Sequence, residues 1–202
     1  MSKENFVPLT SETGLMAAST SRSAVWMRSG GIVLAGSALV AICAHVALPL
    51  YFTPVPLSLA PFAVLLLGLL LRPALAAATL VAYLVEGALG LPVFSPTPAA
   101  PGLAHLFGPT GGYLLSYPLA AALIAYFVRR ASRGFTPAAL SAAGGSFVIL
   151  FCGALWLAVL THTSILSVFT MAVLPFLPGD ALKVIAAAAL AAGWVRLRRR
   201  TA

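Results

Sequence analysis

Residues 165–200 read ILSVFTMAVLPFLPGDALKVIAAAALAAGWVRLRRR, and how this stretch is divided decides the fold. The apolar patch Ile165 to Leu177 is about 13 residues long and is punctuated by Pro175 and Pro178. That is too short for a membrane span, so it reads as a re-entrant or interfacial piece. Asp180 to Val195 reads as a spanning helix, with Pro178 and Gly179 breaking the chain just before it and an arginine cluster, Arg196 to Arg200, closing it. Counting the patch as a further span would put that cluster on the opposite face from every other arginine. Leaving it out places Arg22, Arg28, Arg72, Arg129, Arg130, Arg133, Arg196, Arg198, Arg199 and Arg200 on one side, which the positive-inside rule assigns to the cytoplasm.

Working outward, the same reading applies to the rest of the chain. The 202 residues are 61% apolar and 8% charged, a composition whose surface faces lipid rather than water. Apolar segments run from Gly31 to Leu48, Leu57 to Leu71, Pro73 to Leu91, Gly112 to Val128, Pro137 to Leu160 and Asp180 to Val195. The expected fold is therefore all-α: a polytopic membrane protein of six transmembrane helices with both termini cytoplasmic. Pro/Gly-rich stretches, Pro49 to Pro56 and Pro92 to Gly111, separate the helices. Residues 1–29 are expected to be a disordered cytoplasmic leader rather than a signal peptide, because Lys3 to Ser29 is polar, Ser/Thr-rich and mildly basic. The membrane domain then covers 30–196 and a basic tail 197–202. The net charge of +8 sits where lipid headgroups and topology need it, which excludes nucleic acid as the partner. The arginine cluster reads as an anchor for anionic lipid or as a docking patch for a soluble partner. Cys43 and Cys152 lie in apolar runs without ligand spacing and read as small core or lipid-facing residues.

Three acidic or basic residues other than histidine fall within the spans: Glu86, Asp180 and Lys183. A charge at mid-bilayer costs roughly 2.5–3.5 kcal/mol on insertion scales, so each needs a partner or a purpose. Asp180 and Lys183, three apart, share a helix face at the outer end of the bundle, where they either pair with each other or offer an acceptor and a donor to a solute. Glu86 faces the same cavity or is hydrogen-bonded inside the bundle. The segment Phe107-Gly108-Pro109-Thr110-Gly111-Gly112-Tyr113 leads into the fourth span, with glycines that permit close backbone approach, free N–H groups and a phenol. It lacks the Lys-Ser/Thr of a phosphate loop and reads equally as a plain helix start. Gly31 and Ala35, then Ser37 and Ala41, repeat small residues four apart on the first helix, a face for a partner helix or for packing within the chain. His45, His105 and His162 have no metal-ligand spacing. Ser146 and His162 raise an intramembrane serine hydrolase, but Ser146 lies in no nucleophile motif.

Four stretches together resemble the BioY family, the biotin-specific substrate-binding components of energy-coupling factor vitamin transporters. They are Phe52 to Leu57 (FTPVPL), Gly87 to Phe94 (GALGLPVF), Phe107 to Tyr113 (FGPTGGY) and Leu174 to Lys183 (LPFLPGDALK). The resemblance spans about Leu50 to Val195. It implies a six-helix bundle that binds biotin near the outer face, beneath the loops after spans one and three, in a bacterial cytoplasmic membrane. It implies as partners a membrane coupling protein and a pair of ATPases, with the coupling protein seated on small residues of the first helix, and no catalysis, cofactor or metal. By the same resemblance the ligand positions are Asp180, Lys183, Tyr113 and the turn Thr110, Gly111 and Gly112. An acid and an ammonium together satisfy the two N–H donors and the carbonyl of the ureido ring, while the valerate carboxylate is a rival partner for Lys183. Phe52, Leu91, Phe94 and Phe107 are the apolar walls expected for the thiophane ring and tail. The loop Ser95 to Gly102 is richer in proline and poorer in glycine than the family stretch. The other readings are a component for another vitamin, a facilitator working without ATPases, and an intramembrane enzyme. A metal-ion component is expected to carry a histidine near its start, and Met1 to Thr10 has none.

Overall fold

The computed structural model describes residues 10–96, 101–132 and 134–200, with side chains described among these except at 10–23, 165, 199 and 200. Along the chain come α1 (Thr10–His45), β1 (Ala47–Leu48), β2 (Leu57–Ser58), α2 (Ala60–Leu70), α3 (Pro73–Ala88), α4 (Leu103–Leu106), α5 (Gly111–Arg130), α6 (Phe135–Thr161), α7 (Ile165–Ala172), a 3-10 turn (Leu174–Phe176) and α8 (Leu177–Arg200). Each of the six apolar segments falls on a helix. Four stretches are long and apolar enough to cross a membrane: Ala24–His45, Gly111–Arg130, Phe135–Thr161 and Leu166–Arg198. Ala60–Leu70 and Pro73–Ala88 are shorter apolar helices. The chain is a multi-pass membrane protein.

Two expectations are corrected. Thr10 to Ser29, expected to be irregular, is helical and continuous with α1, and it belongs to a compact unit that ends at Ile32. Residues 1–9 of the expected leader lie outside the described residues, as does Arg133. The chain does not break at Pro178 and Gly179. Both sit in the first turn of α8, where proline's missing N–H has no intrahelical acceptor to lose. The interruption falls earlier, at Val173 and the 3-10 turn Leu174–Phe176, so the stretch Leu166–Arg198 is not one straight helix.

Within the second compact unit, Val33–Ala202, α5 packs on α2, α3 and α6, and α8 packs on α2 and α6. α6 shows how an almost wholly apolar helix chooses its inner face. Ala142, Ser146, Ile149, Gly153 and Leu157 are buried, while Phe147, Phe151, Leu155 and Val159 are exposed at a spacing of four. Hydrocarbon is as apolar as leucine, so the small and polar residues turn inward where backbones approach, and the bulky ones meet lipid. The core is filled by Tyr83, Leu80, Leu65, Ile124 and Ile149. Gly36 on α1 backs onto α3 so closely that a Cβ there would reach 2.5 Å from Thr79 Cγ2. Pro61 and Pro73 stand in the first turns of α2 and α3, and β1 pairs antiparallel with β2, Ala47 opposite Ser58, to tie down the chain between α1 and α2. Cys43 is buried and Cys152 half-buried, both unpaired.

Candidate functional site

α8 carries Asp180 in its first turn, where a carboxylate suits the positive end of the helix dipole, and Lys183 one turn later on the same face. Lys183 Nζ donates to Asp180 Oδ1 at 3.0 Å. Ser146 Oγ of α6 donates to Asp180 Oδ2 at 2.8 Å. The two charged residues retain only 6% and 8% exposure. They nonetheless face a cavity of about 50 Å³, room for about three or four waters. Its walls come from the segment that leads into α2 (Val55, Pro56 and Ser58) and from Pro61 in its first turn, from Ser95 and His105, from Thr110 at the cap of α5 and Tyr113 and Tyr117 within it, and from Ile149 and Leu150 on α6. An ammonium has three donors and a carboxylate about four acceptor positions. Among the described residues these two spend one and two of them, so unspent capacity lies on the cavity wall.

The sequence-derived site residues divide sharply. Asp180, Lys183, Tyr113 and Thr110 line the cavity. Gly111 and Gly112 do not, and their lack of a side chain serves packing instead: a Cβ on Gly111 would run into the Leu106 carbonyl oxygen, and one on Gly112 into Trp156 Cβ of α6. Their N–H groups are only partly free, since Gly111 N donates to the Gly108 carbonyl. Tyr113 Oη donates to the Ala172 carbonyl at 3.0 Å, tying α5 to α7 while its ring faces the cavity. Phe52, Leu91 and Phe107 are exposed and line no part of it, because apolar side chains meet lipid as readily as a ligand. Phe94 is buried one layer back, edge-on to Tyr83 (5.4 Å between centroids) and stacked on His105 (5.0 Å). Glu86 also stands away from the cavity and accepts from Ser37 Oγ at 2.8 Å. That contact turns Ser37, 2% exposed, into the interior of its own chain; Ala35 is exposed and Ala41 half-buried.

Sequence reasoning passed over the polar wall residues Ser58, Ser95, His105 and Tyr117, and it passed over Ser146 as the partner of Asp180, which it meets without lining the cavity itself. Tyr117 is 4% exposed, and among the described residues its hydroxyl has no hydrogen-bond partner. Burial holds the His105 imidazole below its ordinary range of proton affinity. The hydrolase reading fails on distance. Ser146 and the C-cap residue His162 are separated by sixteen positions of α6, roughly 24 Å at 1.5 Å per residue. No three metal-ligating side chains come together among the described residues.

A family model described as "BioY family" matches residues 16–200 of the chain. The chain belongs to the BioY family. It is 38% identical over 138 residues to a probable biotin transporter BioY of Pyrococcus horikoshii, covering 68% of this chain and 79% of that one. It is 30% identical to the biotin transporter BioY2 of Lactococcus lactis, covering 76% and 82%. Among solved structures it superposes on the S-component for biotin from an ECF-type ABC transporter with a TM-score of 0.77 at 26% identity, covering 86% of this chain and 92% of the other. BioY proteins are transport components, not enzymes, and the match takes in Asp180, Lys183 and every described wall of the cavity.

Proposed function

We propose that this chain binds biotin in the Asp180–Lys183 cavity and serves as the substrate-specificity subunit of an ECF-type importer. It would sit in a bacterial cytoplasmic membrane with six spans and both termini inside. The single observation that carries the reading is the buried ion pair with unspent donors and acceptors on a cavity wall. A pair whose only task was to fix the start of α8 has no reason to keep that capacity where a solute can reach it. The ureido ring fits the vacant valences: its N–H groups donate to Asp180 and its carbonyl, or the valerate carboxylate, accepts from Lys183. Tyr117 and His105 add polar edges to an otherwise apolar enclosure. The cavity is far smaller than the 300–1,000 Å³ usual for small-molecule sites, so its walls must part to admit a bicyclic vitamin.

Titrating biotin into purified Lys183→Ala and Asp180→Asn tests this. Each substitution removes a charged hydrogen-bond partner of the ligand, an interaction of about 1.5–3 kcal/mol, which corresponds to a loss of affinity of about 10- to 100-fold. Wild-type affinity in both variants would remove the pair from the site. Thermal-shift screening against a panel of vitamins should find stabilisation by biotin alone.

The proposed partners are a membrane coupling protein and a pair of ATPases. Ala35 offers an exposed small-residue surface on α1, and Gly31, in the other compact unit, is retained on its sequence spacing. Ser37 drops out of that surface because it is engaged by Glu86. Ala35→Leu should leave biotin affinity unchanged and reduce uptake in cells that hold the coupling proteins; undiminished uptake would exclude docking there.

A further inference from the structure

The opposite end of the helices holds a second and larger recess, and it has a different chemistry. A groove of about 700 Å³ opens between the ends of α2, α5 and α8 and the start of α6. Its floor is apolar, with Ala138 and Ala191 buried and Leu70 beside them. Arg129 and Arg196, both exposed, stand on its wall together with Trp194, over whose ring the Arg198 guanidinium lies at 5.1 Å from the centroid. No acidic residue lines it among the described residues. An occupant must therefore be anionic at one end and apolar at the other.

We propose that this groove binds an anionic phospholipid, with the phosphodiester held by Arg129 and Arg196 and the glycerol and upper acyl chain lying on the alanine and leucine floor. Three observations favour lipid over a soluble anion or an acidic protein segment. The groove lies at the arginine-bearing ends of Gly111–Arg130 and Leu166–Arg198, two stretches long and apolar enough to cross a membrane, which is where headgroups would meet them. Its apolar floor would give inorganic phosphate nothing to bind. Trp194 is the residue type that settles at the membrane interface. Guanidinium is suited to the contact because its planar fork meets phosphate oxygens two at a time. Basic recesses between spanning helices are the places where anionic headgroups are held. The proposal does not depend on the identity of the transported solute, because the groove shares no residue with the Asp180–Lys183 cavity.

The test uses the full chain purified in a zwitterionic detergent and challenged with phosphatidylglycerol, phosphatidylcholine or inorganic phosphate. Retained lipid is read by native mass spectrometry and stability by thermal unfolding. Phosphatidylglycerol should be retained and should raise the unfolding midpoint, and the other two should not. Arg129→Gln and Arg196→Gln should each weaken retention about fivefold, the effect of removing one arginine at a lipid surface. Arg130→Gln is the control: that guanidinium is at the same end but lies 4.1 Å over the Tyr126 ring, outside the groove, and its loss should change nothing. Biotin affinity should be equal in all variants. Equal stabilisation by phosphatidylcholine, or by phosphate, would overturn the proposal. So would full retention in the Arg129→Gln/Arg196→Gln double variant; if that variant also lost uptake in cells with the coupling proteins, the groove would be a seat for protein.

Discussion

At one end of this molecule two opposite charges are sunk to 6% and 8% exposure, tied to each other and to Ser146, in an enclosure of aromatic and aliphatic side chains. At the other end Arg129 and Arg196 stand exposed around an open groove that no acid lines among the described residues. The ends differ in what their charges must satisfy. A buried charge has given up its water and must be matched atom by atom, so the positions of its partners are fixed to tenths of an ångström. A charge at headgroup depth keeps water and counterions, and its neighbours need only be of the right sign. The first arrangement can recognise a particular solute, and the second a class of lipid.

The sharpest way to break this contrast is to remove the buried pair by halves and then whole. Lys183→Ala alone and Asp180→Asn alone should each lower stability by about 3–5 kcal/mol, because each leaves a buried group without its partner. Asp180→Leu with Lys183→Met removes both charges and should recover most of that loss, as apolar replacements of buried pairs commonly do. Biotin binding should stay absent in the double variant. Thermal unfolding and biotin titration on the same preparations separate the two effects. A double variant that regained binding along with stability would show that the pair only holds α8 in place.

A smaller effect separates the ends by packing. Gly112, at the cavity end, faces Trp156 and the Cys152 carbonyl so closely that a methyl group has no room. Gly193, in α8 near the arginines, meets nothing within 4 Å. Gly112→Ala should therefore destabilise by about 1–3 kcal/mol, the usual effect of overpacking. Gly193→Ala should be neutral or stabilise by up to about 1 kcal/mol through helix propensity alone. Unfolding midpoints of the two variants in one detergent decide the matter, and equal midpoints would mean that the cavity end is not the rigid one.

The contrast also explains what could be read from sequence. Asp180 and Lys183 were legible because ionisable groups in an apolar run are costly enough to demand a reason. The arginines avoid the apolar segments of the sequence for the same reason. Phe52, Leu91 and Phe107 were not legible, since an aromatic or leucine in such a chain meets lipid or ligand at similar energy and its identity carries no direction. Ser146 was singled out only as a nucleophile. Its real signal was the inward stripe it shares with Ala142, Ile149 and Gly153 on α6, at spacings of three and four. Tyr117 had a signal that went unused, since it stands four residues after Tyr113 on the same face of α5, whereas His105 joins the cavity through the turn of α4, which no local pattern encodes. Pro178 misled because proline reads as a break, whereas in the first turn of a helix it is tolerated. Ser37 misled because a small residue four from another suits a partner of either kind, and only its hydrogen bond to Glu86 turns it inward.

The smallest predicted effect asks whether the enclosure extends to the short helix α4, which lies between the longer helices rather than within one of them. His105 is 5% exposed, stacked on Phe94 and facing the cavity that Asp180 and Lys183 line. Burial favours the neutral ring, so its proton affinity in the folded protein lies below the ordinary value of 6.5. The unfolded chain then takes up a proton near pH 6.5 that the folded chain refuses. By linkage, stability is full above that pH and declines as the pH falls below it, until the folded ring is protonated as well. His105→Gln keeps a polar side chain in the same space and removes the titration. Between pH 7.5 and 5.5 the unfolding midpoint of the parent should fall further than that of the variant, by less than the loss expected from stranding either member of the ion pair. An equal fall in both would mean that α4 opens to water too readily for His105 to be part of the wall. The selective end of the molecule would then be confined to α2, α5, α6 and α8.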